Sequence, residues 1–167
     1  DPVWSTIPCV MIEDNLWRAW YIACTHWHEV DGKLEPCYHI KYAESDDGIK
    51  WRKTGQVCID YNYDGEALGR PWVIKHNGKY KMWYSTRGSK GYRSGKGSPY
   101  MIGYAESEDG IKWQRRDESA EIDCSDKGWD SDMLCYCSVF EMNNELIMLY
   151  NGNGFGQSGF GYAIWQG

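Results

Sequence analysis

The phrase IKYAESDDGIKW at residues 40–51 returns as IGYAESEDGIKW at residues 102–113, and a clipped version, FGYAIW, stands at 160–165. A chain that repeats a phrase at a fixed period is built from repeated supersecondary units, and the unit must be found before single residues are interpreted. A second phrase recurs in step with the first. VMIEDNLWRAWY (10–21), VIKHNGKYKMWY (73–84) and VFEMNNELIMLY (139–150) align without a gap. Each opens on Val, carries polar residues at its centre and closes on an apolar run ending in Tyr.

Both phrases read as hairpins. Asn77-Gly78 separates two strand-like runs, and Asn-Gly suits the two left-handed positions of a tight hairpin turn. Asp47-Gly48 and Asp109-Gly110 are expected to play the same part in the other phrase, whose Ser45, Asp47, Gly48 and Trp51 resemble an Asp-box. Tyr42, Tyr104 and Tyr162 are expected to pack within the strands, with Trp51 and Trp113 covering the sheet faces. Two successive hairpins make a four-stranded antiparallel sheet, and tandem sheets of this length are the blades of a β-propeller. No long segment has helical periodicity. The expectation is an all-β chain: one propeller-type domain, its blades at residues 1–56, 64–118 and 129–167, forming an incomplete ring.

Closed propellers have roughly four to eight blades, and an open set leaves apolar faces and strand edges uncovered. Two routes to closure stay open. Either N-terminal blades of a longer chain complete the ring, or two three-blade chains pair as a homodimer.

Composition narrows the partners. Ten Trp and 13 Tyr suit both sheet packing and stacking on sugar rings. A net charge of −6 with the 18 basic residues widely spread argues against a nucleic-acid surface. No apolar run approaches the length of about 18 residues that a membrane span needs. Seven cysteines, an odd number without a CxxC pair, read as reduced core thiols of a cytoplasmic-type protein. No cofactor is expected.

RPWVIKHNGKYKMWYSTRG (70–88) followed by YMIGYAESEDGIKW (100–113) resembles the five-bladed propeller glycoside hydrolases, the group that includes families 32, 43, 62, 68 and 130. LYNGNGFGQSGFGYA (149–163) is similar to their C-terminal end, so the resemblance spans the whole chain as the last three blades. It implies a carbohydrate-active protein that binds or hydrolyses a saccharide, an acidic or phosphorylated one being a candidate, at the mouth of the central channel. In family 43 the general acid is a Glu in a Glu-Gly-Pro-like pattern ahead of an Asn-Gly hairpin. Pro71 and Asn77-Gly78 fit that frame, which puts Gly69 at the Glu position and Arg70 after it. The alternative reading is a non-catalytic glycan-binding or assembly propeller, or a truncated one held together by oligomerisation.

Residues ahead of each inner strand are the candidates for chemistry. Asp64 and Glu66 align with Asp130 and Asp132, with Asp1 at the position of Asp64. Spacing of i, i+2 turns both side chains of a pair the same way in extended chain. Glycoside hydrolysis needs two facing carboxylates, so Glu66 is the candidate acid and Asp132 the candidate base or nucleophile; turn-capping is the plain alternative. Arg70, matched by Ile7 and Tyr136, could fork onto a sugar carboxylate or phosphate, or pair internally with Glu66 or Asp132. Trp129 is a candidate stacking platform, and Asn151 and Asn153 candidate hydroxyl ligands, as are Asp64 and Asp130 for substrate. His26 and His28 share a strand face but lack the further ligands of a metal site. The segment 85–100, rich in Gly, Ser, Lys and Arg, reads as a mobile loop rimming the site.

Overall fold

The computed structural model describes residues 3–94 and 96–165, and they form three antiparallel sheets in succession. The first is β1 (Trp4–Glu13), β2 (Leu16–Val30), β3 (Lys33–Ser45) and β4 (Arg52–Ile59), in that order across the sheet. The second is β5 (Ala67–His76), β6 (Lys79–Arg87), β7 (Met101–Ser107) and β8 (Gln114–Arg115). The third holds β9 (Cys135–Met142), β10 (Glu145–Asn151) and β11 (Phe160–Trp165). β1 packs beside β5, and β5 beside β9, so the first strand of each sheet is its inner strand. This is three blades of a β-propeller, and among the described residues they do not close a ring.

The first hairpin of every blade turns on two residues with positive φ: Asp14 and Asn15, Asn77 and Gly78, Asn143 and Asn144. That pair of left-handed residues matches the right-handed twist of the flanking strands. The same turn recurs at Asp31 and Gly32 between β2 and β3. The Asp-Gly phrase works differently from a two-residue hairpin. The chain leaves β3 at Ser45 and does not rejoin the sheet until Arg52. Inside that loop Asp47 Oδ1 accepts from the Ile49 and Lys50 amides, both at 2.8 Å, and Trp51 Nε1 donates back to the Gly48 carbonyl at 3.2 Å. Asp109, Ile111, Lys112 and Trp113 repeat the arrangement at 2.8, 2.8 and 3.1 Å. The repeated phrase is a loop that carries its own hydrogen-bond partners.

Each blade is joined to the next by buried aromatic residues. Trp20, fully buried, lies among Tyr42, Leu68, Tyr80 and Met82 between the first two sheets. Its ring meets the edge of Trp113 at 6.1 Å, and its Nε1 donates to the Gly110 carbonyl at 2.8 Å. Trp83 occupies the same repeat position between the second and third sheets, beside Tyr104, Leu134 and Val139. There Trp165 takes the edge-on place, also at 6.1 Å. The Trp83 Nε1, however, is buried without an acceptor.

Tyr42 and Tyr104 are buried as expected, but Tyr162 is 67% exposed. It stands with Phe160 and Ile164 on the face of the third sheet that no other sheet covers among the described residues. Val10 and Ile12 are likewise exposed on the first sheet. All seven cysteines are unbridged, and no helix among the described residues is long and apolar enough to cross a membrane.

Candidate functional site

The three inner strands share an irregularity. The pairing of β1 slips between Thr6 and Cys9, that of β5 between Gly69 and Trp72, and that of β9 opposite Leu149 and Asn151. At the last two bulges a non-glycine residue is left-handed: Arg70 at φ 51° and Tyr136 at φ 57°. Such a conformation costs roughly 1–2 kcal/mol for a residue with a Cβ, and bulges redirect side chains next to functional sites. Here they aim at a common space. A cavity of about 340 Å³ is lined by Trp4 and Thr6 of β1, Gly69 and Arg70 of β5, and Tyr136 of β9. It therefore lies where the inner edges of the three blades converge.

Aromatic rings form its wall. Tyr38 and Tyr100 line it with their hydroxyls hydrogen-bonded to each other at 3.0 Å, and Phe155 lines it stacked on Tyr136. The bulged Tyr136 amide is held by Ser85 Oγ at 2.9 Å. Burial raises the pKa of Tyr38 and pushes Tyr100 up to about 12, so both phenols stay neutral at ordinary pH.

Charge in this wall is one-sided. Arg87 is 2% exposed, and its guanidinium lies over the Tyr92 ring at 3.8 Å and near the rings of Tyr38 and Tyr100. Its Nη1 and Nη2 donate to the Gly88 and Pro36 carbonyls at 3.1 and 3.0 Å, while Nε has no acceptor. Arg70 also has a buried Nε without an acceptor. Among the described residues it forms no ion pair, with Glu66, Asp132 or any other carboxylate. A third arginine, Arg93, is neutralised by Glu35, which also accepts from the Tyr92 hydroxyl at 2.8 Å. Burial pushes the Glu35 carboxyl up, but the Arg93 and Tyr92 hydrogen bonds outweigh it and leave its pKa below the ordinary value. Among the described residues no carboxylate lines the cavity.

The candidate acids lie elsewhere. Glu66 is 1% exposed and held by four donors. The Asn62 amide and Arg115 Nη1 reach Oε2 at 2.6 and 3.0 Å; Thr86 Oγ1 and Arg115 Nη2 reach Oε1 at 2.8 and 2.6 Å. Arg115 in turn meets Asp117 at 2.7 Å, so Glu66 fastens the start of β5 to the outer edge of its own blade. Asp132 is exposed; its side chain meets Ser131 and its amide donates to Asn153 Oδ1 at 2.7 Å. Asp64 is exposed beside His28, and Asp130 is buried, accepting from the Tyr150 hydroxyl at 3.0 Å. Asp1 lies outside the described residues.

Trp129 is stacked on Tyr150, and a Cβ on Gly152 or Gly161 would strike its ring, so it is a packing residue in this chain. Asn153 braces the 128–133 loop through Gly128 and Ser131, and Asn151 ends β10 opposite Phe160 and Cys135. At Gly69, a Cβ would come within 3.2 Å of the Tyr38 ring, so Tyr38 holds the space a longer side chain would enter. His26, His28 and His39 go to different partners: Thr25, Asp64 and Asp60. The segment 85–100 is tied down by Gly88–Ser98 and Ser98–Lys90 backbone bonds, and it contributes Arg87, Tyr92, Arg93 and Tyr100 to the cavity. Of the candidate catalytic and substrate-binding residues read from sequence, Arg70 is in the cavity lining, and the 85–100 segment expected to rim the site supplies four more lining residues. Tyr38 and Phe155 carried no local motif, and the excess of aromatic residues was their hint; Arg87 and Tyr100 lie in the segment read from sequence as a rim of the site.

No family model matches the chain. It is 38% identical over 165 residues to the uncharacterized protein Rv1502 of Mycobacterium tuberculosis H37Rv, and equally to an uncharacterized protein of strain CDC 1551. In both cases the match takes in 98% of this chain and 52% of the relative, so the chain spans about half the length of the curated relatives it matches. Among solved structures it is similar to a thermostable family-43 glycoside hydrolase, with a TM-score of 0.70 and 21% identity over 96% of this chain and 53% of that one. A family 117 glycoside hydrolase of Zobellia galactanivorans superposes with a TM-score of 0.73 and 18% identity, over 96% and 51%. A GH32 β-fructofuranosidase of Bombyx mori superposes with a TM-score of 0.64 and 17% identity, over 93% and 32%. The chain has the propeller fold of these glycoside hydrolases, over about half of the first two.

Proposed function

We propose that the chain is a saccharide-binding part of a propeller, and that the sugar lies in the cavity between the inner strands. The observation that carries this reading is the convergence of three bulged inner strands on one pocket walled by aromatic rings. Ring faces of Trp4, Tyr136 and Phe155 suit the C–H faces of a pyranose, and the hydroxyls of Thr6, Tyr38 and Tyr100 suit its hydroxyls. The fold shared with glycoside hydrolases supports a carbohydrate as the ligand class.

Binding is favoured over hydrolysis by these residues alone. Hydrolysis needs a pair of carboxylates across the scissile bond, whereas Glu66 is engaged with Arg115 and the Asp132 side chain meets Ser131 away from the cavity lining. The test is a glycan array followed by calorimetry on the protein and its Tyr136→Ala and Phe155→Ala variants. A saccharide is expected to bind and to lose about tenfold in affinity, or ~1.4 kcal/mol, in either variant. Absence of any saccharide ligand, or binding indifferent to both substitutions, would overturn the reading.

A further inference from the structure

We infer that the ligand of this cavity carries an oxyanion, a carboxylate or phosphate on a sugar ring, held between Arg70 and Arg87. The inference rests on the saccharide-binding reading of the same cavity and names the class of sugar it takes. Its first support is Arg87. A guanidinium that is 98% withdrawn from solvent ordinarily has a carboxylate partner, because burying an unpaired charge is expensive. This one has two backbone carbonyls and three neutral tyrosine rings, and among the described residues its buried Nε–H has no acceptor.

The second support is independent of the first and comes from another blade. Arg70 is placed in the lining by a left-handed bulge, its Nε–H is buried without an acceptor, and no carboxylate answers it among the described residues. Of the three arginines lining the cavity, Arg93 is the one with a carboxylate ion-pair partner, Glu35, among the described residues. Two positive charges thus border a cavity whose lining, among the described residues, contains no carboxylate. A neutral sugar would leave both charges without a counter-charge, whereas an oxyanion supplies one and accepts from guanidinium groups in forked geometry.

The experiment is calorimetric titration of the protein with glucose, glucuronate, glucose 6-phosphate and inorganic phosphate, at low and high salt, repeated on Arg70→Gln and Arg70→Lys. Among the described residues the Arg70 side chain makes no hydrogen bond or ion pair, so both variants are expected to fold, which their melting curves will verify. An anionic sugar is expected to bind at least about tenfold more tightly than glucose, the gain of one charge-assisted hydrogen bond. That advantage should shrink with salt and vanish in Arg70→Gln. Preference for glucuronate with a deficit in Arg70→Lys marks a carboxylate ligand; preference for glucose 6-phosphate that Arg70→Lys retains marks a phosphate.

Glucose binding as well as its anionic relatives, or an anionic advantage untouched by Arg70→Gln, would overturn the inference while leaving saccharide binding intact. Arg70-dependent binding of inorganic phosphate with no sugar bound at all would do the reverse: the oxyanion site would stand, and the saccharide reading would fall.

Discussion

Replacing Glu66 by Gln separates a structural carboxylate from a catalytic one. Four donors converge on the two oxygens of Glu66. Gln keeps one oxygen, but either orientation of its amide turns an NH2 group toward two of those donors. Breaking a buried ion pair costs about 3–5 kcal/mol. Arg115 retains Asp117 at 2.7 Å, which places the loss near the lower end, about 3 kcal/mol. For a chain of 167 residues each kcal/mol moves Tm by about 2–4 °C, so a fall of about 6–12 °C is expected. Differential scanning calorimetry and urea titration followed by tryptophan fluorescence read this directly. Asp132→Asn is the control: on an exposed loop it should change stability by no more than ~0.5 kcal/mol. A double-mutant cycle of Glu66→Gln with Arg115→Gln should return a coupling above about 1 kcal/mol. If Glu66→Gln melts with the parent protein, or no worse than Asp132→Asn, the carboxylate is not part of the blade's framework and the argument against its catalytic role fails.

Two further outcomes follow from the buried groups. Trp20→Phe should destabilise more than Trp83→Phe, by about 1–2 kcal/mol in urea midpoint analysis, because the first breaks a 2.8 Å bond to Gly110 and the second removes an indole N–H that has no acceptor. Equal losses would mean that the two blade junctions are energetically alike. His39 is 7% exposed; burial holds its pKa below the ordinary value, against the opposing hydrogen bond to Asp60. The unfolded chain therefore takes up a proton at about pH 6.5 while the folded chain does not, and stability is full above that pH and falls as acidification proceeds through the folded pKa. His39→Gln should flatten the stability profile between pH 7.5 and 5.5, and an unchanged slope would assign the effect to other groups.

The features legible in the residues alone are periodic and local. The blade unit is written in the repeats, since strand alternation, paired turn residues and the Asp-Gly loop are all satisfied by neighbours within a few positions. Asn77-Gly78 announces its own turn; Asp14-Asn15 and Asn143-Asn144 could be read from it by alignment. The repeats also misled in one place, because Tyr162 aligns with two buried tyrosines yet stands on an uncovered face.

The fate of each charge, by contrast, is set only when the strands and blades come together. Nothing local distinguishes Glu66 from a free acid, because its partner Arg115 comes from the far edge of the sheet. Nor does anything local tell that Arg87, in a Gly- and Ser-rich stretch, is buried under three tyrosines while Arg70 has no carboxylate partner among the described residues. Burial and pairing are set by which residues from different blades meet at the inner strands. Those meetings join positions as distant as Trp4, Arg70 and Tyr136, and no window of sequence contains them.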